Sequence, residues 1–519
     1  MRRRLLVLTL ALSLISSVVP ASAAIDAVAL RDAVMADVNS PNMSHVANLP
    51  HSKVVNGALQ PATAQNGTDI EFTTLPITTT DEDGLPVTEM RDYALAGTYD
   101  NGLQIIDITD PTTPTTTSVY DCGLRQGDVQ VFTREVEGVT RTYITYTMDN
   151  GYTALTKTTC FTEAVALGYT NVKREPFGTF IADITDPANP KTVSFVAIAG
   201  SGSHNQTVAP GGMFLYNSNS DIGPLDRSAP TDQTGRIEVI DISDFNAPKL
   251  AFTLPLTTGA DSHDITFSAD GTRAYTAALT HTLVLDTSNL AEPKVVGRIL
   301  DPAVNIHHQS DPVTLTDKTT GQTRTFLVVT DELAGAAGNG VCPGGGLHVY
   351  DITGPLEAAP VKVGYWAIPD VRPATDNLTC TAHVLRLHPD EAIMTIAWYD
   401  AGVHVVDISG LIGVGAGTAQ TGPVGVGMKE LGYYSFPNSD TWSVKTNKIE
   451  EDGSMYLFGN DMARGLDVYR YSAAAPAATE AGTWLTPGQA LAQAKALGAG
   501  LGTGLQNRAP YCLLRGRSL

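Results

Sequence analysis

The stretch that decides the fold is Gly102–Tyr120, GLQIIDITDPTTPTTTSVY. A glycine opens it, Leu103 and Ile105 alternate with their neighbours, and Asp107 closes a short apolar run. Alternation with period two is the signature of a β-strand with one buried face. A denser run such as Val405-Val406 in a later copy offers apolar side chains to both faces. Asp110-Pro111 then marks a turn, since the carboxylate can accept turn N–H groups and proline fixes φ. Pro114 leads into a further strand, which must be an outer one because proline is confined to sheet edges.

The unit recurs. GTFIADITDPANPKTVSFV begins at Gly178 and GRIEVIDISDFNAPKLAFTL at Gly235. Looser copies begin at His281, Gly346 and Gly402, and a partial copy, GLDVYRYS, at Gly465. Two more strands precede each glycine, as in HDITFSADGTRAYTAAL from His263 and HVLRLHPDEAIMTIAWYD from His383, with SADG and HPDE as tight hairpins. Each repeat is thus four antiparallel strands, a propeller blade. Innermost strands fall near Asp69, Asp128, His204, His263, His308, His383 and Trp442, which makes seven blades. The last blade lacks its outer strand, and NMSHVANLPHSK around Asn42 reads as that strand. Closing the ring this way removes the exposed edges. The expected fold is all-β: a seven-bladed β-propeller with an N-terminal strand closing the last blade, plus a short C-terminal helical tail.

The repeat resembles that of the secreted LVIVD-repeat proteins, a propeller family. The resemblance lies in Ile105–Pro111, Ile181–Pro187, Val239–Phe245 and Val349–Pro355. It implies the fold and says little about function, because propellers host unrelated activities.

The chain has 519 residues, with Lys+Arg 33 against Asp+Glu 54 and a net charge of −21. This balance excludes nucleic acid as the main partner and a polybasic hold on anionic lipid. Arg2, Arg3 and Arg4, the apolar run Leu5–Val19 and Ala21-Ser22-Ala23 read as a secretory signal peptide over residues 1–23. A lead segment at 24–41, the propeller at 42–472 and a linker with a short helical tail at 473–519 complete the expected organisation. No later stretch is apolar and long enough to span a membrane. The protein is expected to be secreted, extracellular or cell-wall associated, and monomeric, with an unidentified ligand or cell-surface partner.

In an exported chain the five cysteines favour disulfides. Four cysteines allow three connectivities. Loops that enter an innermost strand and loops that follow a second strand share one face of the ring. Cys122 and Cys380 sit in the former, Cys160 and Cys342 in the latter, so Cys122–Cys160 and Cys342–Cys380 are expected and Cys512 is left over.

The same topology gathers the histidines. His204, His263, His307, His308 and His383 stand at the starts of innermost strands in four consecutive blades, out of 11 histidines in all. Strand starts line the mouth of the central channel. Four imidazoles on separate rigid strands suit a transition metal, Cu, Fe or Zn; calcium, which oxygen-rich loops suit, is the less favoured alternative on the acidic face. The expected metal residues are His204, His263, His308 and His383. His307, Glu332 and Asp400 are alternative ligands or acceptors for ring N–H groups. The plainer role for such residues is water binding or strand capping. The array is similar in its site, though not in flanking motifs, to the selenium-binding methanethiol oxidase and carotenoid oxygenase propellers. No nucleophile elbow and no H-E-x-x-H motif is present. The expected function is a binding or scaffold propeller with a His-lined channel mouth that takes a ligand or metal. The alternative is a metal-dependent oxidoreductase with four His ligands.

Overall fold

The computed structural model describes residues 37–124, 126–148, 157–173, 178–198, 203–219, 235–257, 260–332, 345–368, 380–414 and 427–475. Seven antiparallel sheets of four or more strands form the blades of a propeller. Their innermost strands are Gly67–Thr80, Gln126–Val136, Asn205–Val208, Asp264–Phe267, His307–Thr316, Leu385–His388 and Thr441–Lys445. The seventh blade is closed by Met43–Leu49, which pairs antiparallel with Gly465–Tyr471. Two additions were not legible from periodicity. Val38–Asn39 pairs with Lys429–Ser435 as a fifth strand of blade 6. A small hairpin, Ser52–Val55 with Ala58–Pro61, is pinned to blade 1 by the Gln104 amide, which exchanges two 2.9 Å hydrogen bonds with the Ser52 backbone.

The repeated motif explains where the core sits. Successive apolar residues of each third strand point to opposite faces, and each face packs on a different neighbouring blade. Ile105 joins the cluster between blades 1 and 2, and Ile106 the one between blades 7 and 1. Val405 and Val406 divide in the same way. The apolar core is therefore spread over the gaps between blades.

The aspartates of the motif do turn chemistry. Asp107, Asp183, Asp241 and Asp351 each accept the N–H two residues on at 2.9 Å. Asp110, Asp186 and Asp244 do the same one turn later, at 2.9–3.1 Å.

The Cys122–Cys160 disulfide forms as expected. It anchors the helix Thr159–Ala166, whose Cys160, Phe161 and Ala164 are buried. Cys380 is also disulfide-bonded. Its expected partner Cys342 lies outside the described residues, as do the proposed signal segment, Cys512 and the C-terminal tail. Among the described residues no helix is long and apolar enough to cross a membrane.

Candidate metal centre in the channel

The four expected imidazoles come together in a row. Ring centroids are 4.4 Å apart for His204 and His263, 4.1 Å for His263 and His308, and 4.4 Å for His308 and His383. All four side chains are between 0 % and 3 % exposed. Local structure aims them. His204, His263 and His383 precede their strands but are held in register, each backbone N–H reaching a second-strand carbonyl (Ser218, Ala277 and Ala397) at 2.8–3.0 Å. His308 is the extra residue of a β-bulge: His307 pairs with Asp331 and Gln309 with Thr330, so His308 has no opposite number. Bulges re-aim a side chain in this way. Trp442 occupies the same kind of bulge in blade 7, and its ring stands 4.6 Å from that of His383.

Backbone carbonyls fix two of the tautomers. His263 Nδ1 lies 3.0 Å from the His308 carbonyl and His383 Nδ1 lies 2.6 Å from the Trp442 carbonyl. A carbonyl only accepts, so Nδ1 carries the proton in both rings and Nε2 carries the lone pair. Burial pushes the imidazolium pKa of His383 down to about 3. It pushes those of His263 and His308 well below the usual range, with neighbouring imidazoles adding to the effect. Neutral imidazole is the ligating form.

Glu332 completes the cluster. It follows the second strand of blade 5, is fully buried, and places Oε2 3.6 Å from His308 Nε2 and Oε1 3.6 Å from His383 Nε2. These separations are too long for good hydrogen bonds. They are close to the ~3.4 Å edge of a tetrahedron whose ligands stand about 2.1 Å from a central ion. His383 Nε2 makes no hydrogen bond. Among the described residues, His308, Glu332 and His383 are the one group of three possible ligands within 4.8 Å of one another.

Two residues that sequence reasoning missed hold this arrangement. Tyr399 donates its hydroxyl to Glu332 Oε1 at 2.7 Å. Gln126 accepts the Tyr99 hydroxyl at 3.0 Å, which turns its amide nitrogen toward His204 Nε2 at 3.2 Å. His204 thereby accepts a hydrogen bond that a metal would have to displace. Both residues have left-handed backbones, φ +43° for Tyr399 and +88° for Gln126. Such strain in a non-glycine residue persists only where its surroundings enforce it. At Tyr399 two 3.2 Å backbone hydrogen bonds with Thr441 do so.

The other candidates lie elsewhere. His307 turns its Nδ1 to the Thr282 hydroxyl at 2.9 Å, away from the row. Asp400 is half-buried at a turn and is not one of the three grouped ligands. A cavity of about 420 Å³ opens beside the row, lined by His263, His308, His383 and Trp442 among others.

A family model described as the LVIVD repeat matches residues 90–122, which span the second to fourth strands of blade 1. The chain is a seven-bladed β-propeller that carries an LVIVD repeat in its first blade. No curated protein matches the chain in sequence. Similar solved structures include a putative 6-phosphogluconolactonase from Bacteroides uniformis at 10% identity and TM-score 0.42, covering 76% of this chain and 92% of that one. Another is the periplasmic gluconolactonase of Pseudomonas aeruginosa, at 13% identity and TM-score 0.37, covering 74% and 91%. A functionally unknown protein from Desulfotomaculum acetoxidans has 13% identity and TM-score 0.38, covering 69% and 86%. Similarity at this level says nothing about activity.

Proposed function

We propose that this propeller is an exported binding protein that holds one transition metal ion in its channel, through His308, His383 and Glu332, with His263 and His204 beside them. The observation that carries this reading is the pair of 3.6 Å separations from one buried carboxylate to two neutral imidazole nitrogens. A His₂-carboxylate set suits Zn and Fe(II). The Trp442 carbonyl on His383 Nδ1 and the Tyr399 hydroxyl on Glu332 are the supports expected around ligands. Export agrees with the Cys122–Cys160 disulfide, since such bonds persist in oxidising compartments.

A second reading, a metal-dependent oxidoreductase, has one observation in its favour. The cavity reaches the same imidazoles, so a small substrate would meet the ion from that side.

Elemental analysis tests the proposal. Chelator-treated protein, dialysed against equal Zn, Cu and Fe, should retain about one ion per chain, and a variant carrying His308→Ala and His383→Ala should retain about a tenth of that or less. A wild-type protein that retains no metal, with a melting temperature unchanged by chelator, would overturn it.

A further inference from the structure

The three proposed ligands reach the channel by separate routes. His308 stands on the bulge of blade 5, Glu332 follows the second strand of that blade, and His383 opens blade 6. One residue meets all three routes. Asp331 is the chain neighbour of Glu332 and pairs with His307 beside the bulge. Its carboxylate holds the loop that leads into His308. Oδ2 accepts the Asn305 backbone N–H at 3.0 Å and the Asn305 side-chain amide at 2.9 Å, and Oδ1 accepts the Ile306 N–H at 2.9 Å. Its carbonyl oxygen accepts the Thr381 hydroxyl at 3.2 Å, two residues before His383. Asp331, Asn305 and Thr381 are all buried, so water does not compete for these bonds.

The matching aspartate of blade 7 divides its acceptors differently. Asp461 lies opposite Thr441 as Asp331 lies opposite His307. Its Oδ2 accepts the Asp440 N–H at 2.8 Å and the Thr441 hydroxyl at 2.9 Å. Its Oδ1 turns back to its own turn, to the N–H groups of Ala463 at 2.8 Å and Arg464 at 3.0 Å. All three hydrogen bonds of the Asp331 carboxylate go to the incoming loop instead.

The 3.6 Å separations at the centre leave little room for movement of that loop. A binding constellation has to be held within about 0.5 Å of its working geometry. Changing a residue that orients a metal ligand without touching the ion typically costs about 10–100-fold in affinity.

We infer that Asp331 is a positioning residue of the channel site, holding His308, Glu332 and His383 at their mutual distances through the segments that carry them. The inference rests on the proposed metal site and adds to it a residue that is not a ligand.

Zinc affinity, measured by competition with a chromogenic chelator on chelator-treated full-length protein, tests it, with the visible spectrum of the cobalt(II)-loaded protein as second readout. Asp331→Asn replaces an acceptor oxygen by an amide that faces N–H donors. It should bind zinc about tenfold or more weaker than wild type, with weaker visible cobalt bands. Thr381→Val removes one hydrogen bond, keeps the volume and changes no charge, and should weaken zinc about fivefold. Asp351→Asn is the control for lost stability. It removes a buried carboxylate of the same blade that pairs with Arg324 and holds neither loop. It should lower the melting temperature and keep the wild-type zinc affinity and cobalt spectrum. Wild-type zinc affinity in both Asp331→Asn and Thr381→Val, or an equal loss in Asp351→Asn, would overturn this inference and leave the metal proposal standing. A wild-type protein that binds neither ion would overturn both.

Discussion

His308 joins Glu332 and His383 because one extra residue interrupts its strand. The pair His307-His308 was visible in the sequence at a strand start, but alternation alone sends neighbours to opposite sides without saying which faces the channel. The bulge selects His308. Glu332 and Asp400 looked equivalent, each following a second strand. They differ because Asp331, the residue before Glu332, already accepts the Asn305 and Ile306 N–H groups that need capping. Glu332 is left to point inward. Tyr399 and Gln126 were not legible, since a left-handed backbone at a residue other than glycine or asparagine leaves no compositional trace. Outside the channel, burial holds His51 and His281 neutral, lowering each pKa from 6.5 to about 4. Between those values the unfolded chain takes up protons that the folded chain refuses. The stability tied to these residues is therefore complete above about pH 6.5 and is lost as pH falls toward 4. A His51→Gln variant should lose about 1–2 kcal/mol less than wild type between pH 7 and pH 5, measured by urea unfolding at the two values. Equal losses would show that His51 does not carry this dependence.

At the scale of elements, the strand motif and its aspartates were almost fully legible. Period-two alternation and turn carboxylates are local, so one repeat suffices to read them. The fifth strand of blade 6 was not, because Val38–Asn39 is two exposed residues and too short to show a period. The hairpin Ser52–Pro61 is likewise mostly exposed or half-buried and carries no apolar face. Spacing suggested the Cys122–Cys160 pairing, and topology supported it by placing both cysteines on one face of the ring. The bond joins residues 38 apart and fastens the helix-bearing insert to blade 2. Chain-entropy reasoning gives about 4 kcal/mol for a loop of this length, and engineered or removed bridges commonly deliver about 2–4. The double variant Cys122→Ser with Cys160→Ser should lose that amount in denaturant unfolding. A loss under about 0.5 kcal/mol would mean that the insert docks without its bridge.

At the scale of the whole molecule, the ring is closed by pairing the first long strand with the last, so the blades present no unpaired edge at the join. The acidic balance of the chain has two structural homes. Most motif aspartates are engaged in turns, and a smaller set, Asp69, Glu71, Asp128, Asp264 and Asp311, lines the channel cavity together with Arg386 and Lys445. The central claim is that His308, His383 and Glu332 form one metal site. Anomalous diffraction from crystals grown with zinc tests it most directly. The account predicts one strong peak about 2.0–2.2 Å from His308 Nε2, His383 Nε2 and a Glu332 carboxylate oxygen. A channel without a peak, or zinc found only on the turn aspartates, would contradict it.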